Sequence, residues 1–402
     1  MVRATSTSAE VSPRPVVTLM VTSVALTIAL SQVPVEQPPR LRTFLPNGAT
    51  VLVERVKGAK TLAVGLYASS RAAPDTPINH GHRHLLEHLV AVGKSGELDR
   101  RLETNGGFMR ARTLRDAIAF EFTLPPGALQ LGLEGTRDIL AAEVTSADLV
   151  RRELKILGEE EALRGEESMA SEAAWRRVYG RFGLDPFGSL EAMKQATPAS
   201  LERLRNLTFA GPSLSMTIVG DIDLDAATKA ATDILLRAPA GKRSEATKRV
   251  VEPSEARAEV TGAYRVLPVR GYRDPHTAAA LAAALALASE LERATVLYTP
   301  SGAPGLILVG TPDGPATLER VLKDVRPADL FTRGRELARR WVHSRLIEPQ
   351  DIATFRGLLL AEASDLRPET LLENLEVMRY TAFASAFESL RADSAIRIGG
   401  EA

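Results

Sequence analysis

No cysteine occurs anywhere in the 402 residues. Disulfides, thiolate nucleophiles and cysteine-type zinc sites are therefore excluded, and any metal must be held by His, Asp or Glu. Net charge is absent too: 50 Lys and Arg balance 50 Asp and Glu, so nothing electrostatic favours nucleic acid or another polyanion as a partner. Histidine is scarce, with six in the chain. Four of them fall within "HGHRHLLEHL", residues 80–89.

Charge is missing altogether from "PVVTLMVTSVALTIALSQVPV", residues 15–35, which follows Arg3 and Arg14. Its apolar heart has the length of a signal-peptide core, and Ala29 and Ser31 offer small residues at the two positions a signal peptidase reads. Residues 1–31 are thus expected to be a signal peptide and 32–39 a spacer, giving an exported, periplasmic or extracytoplasmic protein. The alternative is a retained membrane anchor over 15–35, which is short for a full span.

The length predicts two domains. From Arg40, an Asn47-Gly48 turn joins two strand-like runs, and "TLAVGLYASS" predicts a third strand. Helical spacing over 81–93 and "GELDRRLETNGG" predict two helices, "AIAFEFTLP" a half-buried strand, and "GALQLGLEGTRDILAA" a further helix. Residues 147–178 read as one long charged helical stretch, and "LSMTIVGDID" as a strand followed by another helix. Residues 237–256 carry charge, small residues and proline without apolar period, which marks a linker. Beyond it lie a helix at 274–294, the strand "GLILVGTP" and a mostly helical remainder. The expected fold is α+β: two related α/β sandwiches with mixed, largely antiparallel sheets packed by helices, over 40–250 and, in shortened form, 251–402.

His84 and His88 are four apart, so on a helix they project from one face and can converge on one ion. A hydrolytic zinc needs such ligands, an open position for water and a carboxylate beside it to take a proton. H-x-x-E-H supplies two ligands and, in Glu87, that base; it is the inverse of the H-E-x-x-H arrangement. A third ligand is sought in "RRELKILGEEEAL". There Glu153 and Glu160 are seven apart and share a helix face, with Ile156 and Leu157 between them able to pack inward. Taken alone, the Glu159 to Glu161 cluster would read as a solvated face.

With these segments together, the chain resembles the pitrilysin, insulysin and mitochondrial processing peptidase family of inverted-motif zinc peptidases. "LPNGATVLVERV" is similar to the family's opening strand pair, residues 81–88 to its G-x-x-H-x-x-E-H, and "ELKILGEE" to its E-x-x-hydrophobic-hydrophobic-x-x-E helix. "LETNGGFMRART", "DPFGSLEAMKQATPASLERL" and "MTIVGDID" follow in the family's order. The resemblance implies one zinc per chain bound by His84, His88 and Glu160, with Glu87 as general base and Glu153 supporting the site. It also implies an extended peptide substrate and pairing of two such units, as a homodimer or a heterodimer with a related subunit.

Several positions depart from the pattern. Arg83 stands where the family keeps a small residue, Ala91 replaces an aromatic, and Arg110 occupies the place of an asparagine that contacts substrate. In the second half the glycine-rich signature and R-G-L-A-Y segment are absent, leaving Tyr298 as the candidate substrate-binding tyrosine. His80 and His82 are expected at the rim rather than as ligands, and the Asn206 to Thr208 sequon as a chance match. Two rivals follow: a non-catalytic peptide-binding or partner subunit, and a membrane-anchored scaffold without metal.

Overall fold

Around the Asn47-Gly48 turn, β1 (Arg40–Phe44) and β2 (Thr50–Arg55) pair antiparallel, Arg40 opposite Glu54 and Phe44 opposite Thr50. Gly48 takes φ +92°, a left-handed conformation that glycine adopts without a Cβ penalty. The computed structural model describes residues 39–94, 97–241, 249–256, 259–363, 366–392 and 394–399. The expected signal peptide, nearly all of the spacer and residues 242–248 of the expected linker lie outside the described residues. Residues Pro38–Ala402 form one compact unit.

β3 (Leu62–Ser69), β4 (Phe108–Thr113), β5 (Ala117–Leu124) and β6 (Leu214–Gly220) complete a six-stranded sheet in the order β1-β2-β6-β3-β5-β4. Only β2 and β6 run parallel. Every residue of β3 is buried because the sheet is covered on both faces. Leu62, Val64, Leu66 and Ala68 point into one core, and Ala63 and Tyr67 into the other. The first core is built by α1 (His82–Ala91), α2 (Leu98–Thr104), α3 (Leu129–Leu140), α4 (Ala147–Ala162), α6 (Leu190–Met193), α7 (Pro198–Thr208) and α8 (Leu224–Leu235).

The stretch 147–178 is two helices, not one. α4 ends at Ala162 and α5 spans Glu166–Tyr179, with Gly165 extended at the N-cap between them. The break redirects the chain: α5 leaves the first core and buries Ala170, Ala174 and Trp175 against the second sheet.

That sheet is four-stranded and antiparallel, β10-β7-β9-β8, from β7 (Ala263–Val269), β8 (Thr295–Leu297), β9 (Gly305–Thr311) and β10 (Ile396–Ile398). Around it lie α9 (Pro275–Ala288), α10 (Pro315–Asp324), α11 (Pro327–Ser344), α12 (Pro349–Glu362), α13 (Glu369–Glu376) and α14 (Tyr380–Arg391). Four of these helices begin with proline, whose fixed φ suits the first turn and whose missing N–H is not needed there.

α12 crosses in the other direction. Its Ile352, Ala353 and Ala361 cover the second face of the first sheet, where Tyr67 Oη and Thr217 Oγ1 donate to Ala353 O at 3.0 and 3.2 Å. In return, Tyr179 Oη of α5 donates to Gly305 O on β9 at 2.6 Å. Two sheets of unequal size, each sandwiched by helices, are the α+β architecture expected from the sequence. No helix among the described residues is long and apolar enough to cross a membrane.

Candidate metal centre

α1 starts at Gly81, at φ +93°, where a Cβ would lie 2.5 Å from Met193 Cε. Gly188 opposite is as constrained, since its Cβ would lie 2.1 Å from Gly81 Cα. Two glycines thus let the start of α1 press against the loop before α6. Leu85, Leu86, Leu89 and Val90 anchor the helix in the core, which leaves His84 and His88 turned towards α4.

Both histidine rings are oriented from behind. His84 Nδ1 donates to Phe187 O at 3.0 Å, and His88 Nδ1 to Glu153 Oε2 at 3.3 Å. A carbonyl or carboxylate oxygen only accepts, so each Nδ1 carries a hydrogen and Nε2 is the ring nitrogen left to face an ion. Burial, reinforced by the neighbouring His88, pushes the His84 pKa down to about 4, so this ring is neutral at neutral pH, as a metal ligand must be.

Among the described residues, one group has metal-ligand spacing: His84, Glu87 and His88, with donor atoms within 4.8 Å of one another. Glu160 of α4 approaches it, Oε2 lying 3.6 Å from His84 Nε2 and Oε1 3.6 Å from His88 Nε2. Donors around a tetrahedral zinc with bonds of about 2.1 Å stand roughly 3.4 Å apart. The donor set and its spacing therefore fit zinc. Glu160 is the exposed member, at 43%, so the group opens to solvent on its side. Glu153, seven residues earlier, is buried on the same face of α4. Leu157 packs inward between them as expected, but Ile156 does not: it is 37% exposed, at the margin of the buried stripe.

Glu87 Oε2 lies 3.9 Å from His84 Nε2 and accepts a hydrogen bond from Thr113 Oγ1 at 3.2 Å. Burial raises its pKa to about 7, with His88 opposing the rise. A carboxyl poised there exchanges a proton readily at neutral pH.

Arg110 and Tyr298 are not brought to this group. Alternation along β4 turns Met109 and Ala111 towards the α1 core and Arg110 to the opposite face, where it meets Glu121 at 3.0 Å. Tyr298 follows β8 and stacks on Trp341, ring centroids 5.6 Å apart. It lines a cavity of about 150 Å³ together with Leu114, Asp185 and Glu362. Its hydroxyl is buried without a partner. His80 and His82 bind the carbonyls of Asp185 and Ala192 at 2.8 and 2.9 Å; His82 is buried rather than at a rim. Thr113 and Phe187 escaped sequence reasoning. One is a lone threonine at a strand end, and the other contributes a backbone oxygen, which no residue pattern encodes, and a ring set edge-on to His84 with centroids 4.9 Å apart.

Residues 50–178 match the family Insulinase (Peptidase family M16), which spans β2 through α5 and includes the histidines, Glu153 and Glu160. The chain is 23% identical over 193 residues to the beta subunit of the mitochondrial-processing peptidase of Dictyostelium discoideum, covering 45% of this chain and 40% of that protein. It is 21% identical over 192 residues to an uncharacterised zinc protease of Mycobacterium leprae, covering 46% and 43% respectively. In three dimensions the chain is similar to a protease from Helicobacter pylori, with a TM-score of 0.72 at 14% identity over 90% of this chain and 100% of that one. It is also similar to an inactive peptidase M16 domain from Pseudomonas fluorescens, with a TM-score of 0.68 at 15% identity over 90% and 98%. The periplasmic protease PqqL of Escherichia coli matches with a TM-score of 0.67 at 16% identity, over 89% of this chain but 47% of that one. Residues 50–178 thus match peptidase family M16, and the fold of M16 peptidase domains extends over about 90% of the chain. The chain spans less than half the length of the curated relatives it matches.

Proposed function

We propose that the protein is an exported, zinc-dependent endopeptidase acting on short or unfolded polypeptides. The observation that carries this reading is the convergence of His84 Nε2, His88 Nε2 and both Glu160 oxygens at 3.6 Å, with buried Glu87 beside them. His84, His88 and Glu160 would hold one zinc, and Glu153 would fix the His88 ring through Nδ1. Zinc, when bound, supplies a Lewis acid that polarises a scissile carbonyl and makes water acidic enough to react near neutral pH.

The chain's own residues handle the proton and the substrate. Glu87 takes the proton from the attacking water and can return it to the leaving amine, for which a pKa near neutrality suits both directions. Thr113 orients that carboxyl by donating to it. β4 is the open edge of the six-stranded sheet and packs beside α1, so an extended peptide can add to it as a further strand. The similarity to a periplasmic protease supports export. Similarity to a processing-peptidase subunit and to half of PqqL supports work as a pair, either a homodimer or a heterodimer with a related subunit.

A second reading, a non-catalytic peptide-binding subunit, is favoured by the similarity to an inactive M16 domain and by the absence of Arg110 and Tyr298 from the metal group. Peptide turnover by the purified chain separates the two. The enzyme predicts cleavage that Glu87→Gln abolishes while zinc content stays near one per chain. A zinc-loaded chain that binds peptides but never cleaves them, alone or mixed with a related subunit, defines the second.

A further inference from the structure

Arg83, the cation one residue before His84, does not face the histidines. Its side chain is 3% exposed, and its Nε and Nη2 lie 3.2 and 2.6 Å from Asp75 Oδ2. The other contacts are to backbone: Nη1 donates to Leu114 O at 3.0 Å and Nη2 to Arg115 O at 3.4 Å. Both carbonyls belong to the tight turn between β4 and β5, which Leu114 N closes by donating to Ala117 O at 2.7 Å. Arg83 and Glu87 are four apart and share a face of α1. One therefore grips this turn just after Thr113, while the other receives the Thr113 hydroxyl.

The turn is held from a second side. Arg115 donates to Gly183 O at 3.3 Å, to Leu184 O, and to Asp185 Oδ2 at 3.3 Å. Asp185 Oδ1 accepts from Phe187 N at 2.9 Å, and Phe187 O accepts from His84 Nδ1 at 3.0 Å. A closed ring results: Arg83 ties α1 to the turn, Arg115 ties the turn to the loop at 183–187, and Phe187 ties that loop back to α1. Burying an ion pair is at best break-even for stability, and here Asp75 Oδ1 is left buried without a partner. Since α1 is already anchored by four apolar side chains, holding the helix in place does not account for the arrangement.

We propose that Arg83 is a positioning residue of the active site. Through the Leu114 and Arg115 carbonyls it fixes the β4–β5 turn, so that Thr113 holds Glu87 and, through Arg115 and Asp185, Phe187 O holds His84. This rests on the peptidase reading given above. A planar guanidinium serves one carboxylate and two carbonyls at once, which an ammonium group on a flexible stem does not.

The test uses the full chain with Arg83→Met, Arg83→Lys, Thr113→Val and the double variant Arg83→Met/Thr113→Val. Readouts are zinc per chain, KM and kcat on an unstructured fluorogenic peptide, and hydrogen exchange of metal-free protein. In Arg83→Met, kcat per bound zinc should fall about 10- to 100-fold, as for loss of other outer-shell partners. KM should stay within about twofold, and the double variant should be no slower than the worse single one, because the Thr113 contact is one of those through which Arg83 acts. Exchange at residues 114–118 should quicken without change in β3, and Arg83→Lys should not rescue. Unchanged kcat in a folded Arg83→Met protein, multiplicative losses, or rescue by lysine would overturn the proposal. Should Arg83→Met not fold, Arg83→Lys carries the test, with loss of kcat supporting the clamp and wild-type kcat overturning it. If the unaltered chain cleaves nothing, the peptidase reading fails on its own. The clamp is then judged by exchange and zinc affinity: faster exchange with roughly tenfold weaker zinc binding sustains it, and unchanged values overturn it.

Discussion

Gly357 of α12 lies so close to the ring of Tyr67 on β3 that a Cβ there would sit 2.1 Å from Tyr67 Cε2. The ring is fully buried and its hydroxyl is tied to Ala353 O, so neither partner can give way. Gly357→Ala should therefore push α12 off the sheet and cost about 3 kcal/mol, the upper range for overpacking. The midpoint of urea unfolding measures this, and a variant as stable as the parent would mean the contact is looser than described.

Replacing Glu160 by Gln keeps its shape but removes the charge that two histidine nitrogens face. Zinc per chain in protein purified without added metal should drop from near one to a small fraction. Metal analysis reads this directly, and full zinc in the variant would remove Glu160 from the ligand set.

Glu153→Gln acts differently, because Glu153 meets the His88 ring at Nδ1, behind the nitrogen that faces Glu160. Zinc should still bind, with affinity lowered about 10- to 100-fold, as is usual when a histidine loses its outer hydrogen-bond partner. Competition against a chelator of known affinity distinguishes this weakening from the near-complete loss expected for Glu160→Gln.

Glu369, at the start of α13, ties together distant parts of the chain. Arg40 of β1 lies 3.1 Å from it and Arg356 of α12 3.2 Å. Burial opposes its ionisation, but Arg356, with Arg40 beside it, outweighs that effect and takes the carboxyl pKa down to about 2, from 4.5 in the unfolded chain. A folded-state pKa below the unfolded one means the contribution is complete above pH 4.5 and disappears as pH falls through about 2. Glu369→Gln should thus be less stable than the parent by about 2 kcal/mol at pH 7. That gap should narrow only below pH 4.5, which paired denaturation curves at pH 7, 4 and 2 would reveal.

Much of this was legible in the residues. H-x-x-E-H needed only helical geometry to read as a site, and the spacing of Glu153 and Glu160 told which face of α4 would meet it. Strands with strict alternation, such as β3 and β5, declared themselves. β4 did not, because "FMRART" mixes two arginines into a short run, and those arginines are satisfied by Glu121, which lies on another strand. The break at Gly165 was hidden by helix-favouring neighbours on both sides. β7, β8 and β10 were missed because two of them are only three residues long and the third carries Pro268. Arg83, a departure from the expected pattern, finds its partner only in the fold: Asp75, eight residues earlier, draws it away from the histidines.

The exchange of helices between the two sheets bears on how this chain could be divided or remodelled. Severing it near residue 245 would not yield two independent pieces, since each fragment would carry the cover of its neighbour's sheet. The link reaches the chemistry as well. Glu160 sits two residues before the end of α4, and four residues beyond that end α5 begins, packed against β7 and β9. The second half thus has a task that requires no contact with substrate. It moors the helix that follows Glu160, so a substitution in that distant sheet reaches the group of His84, His88 and Glu160 without altering any of its residues.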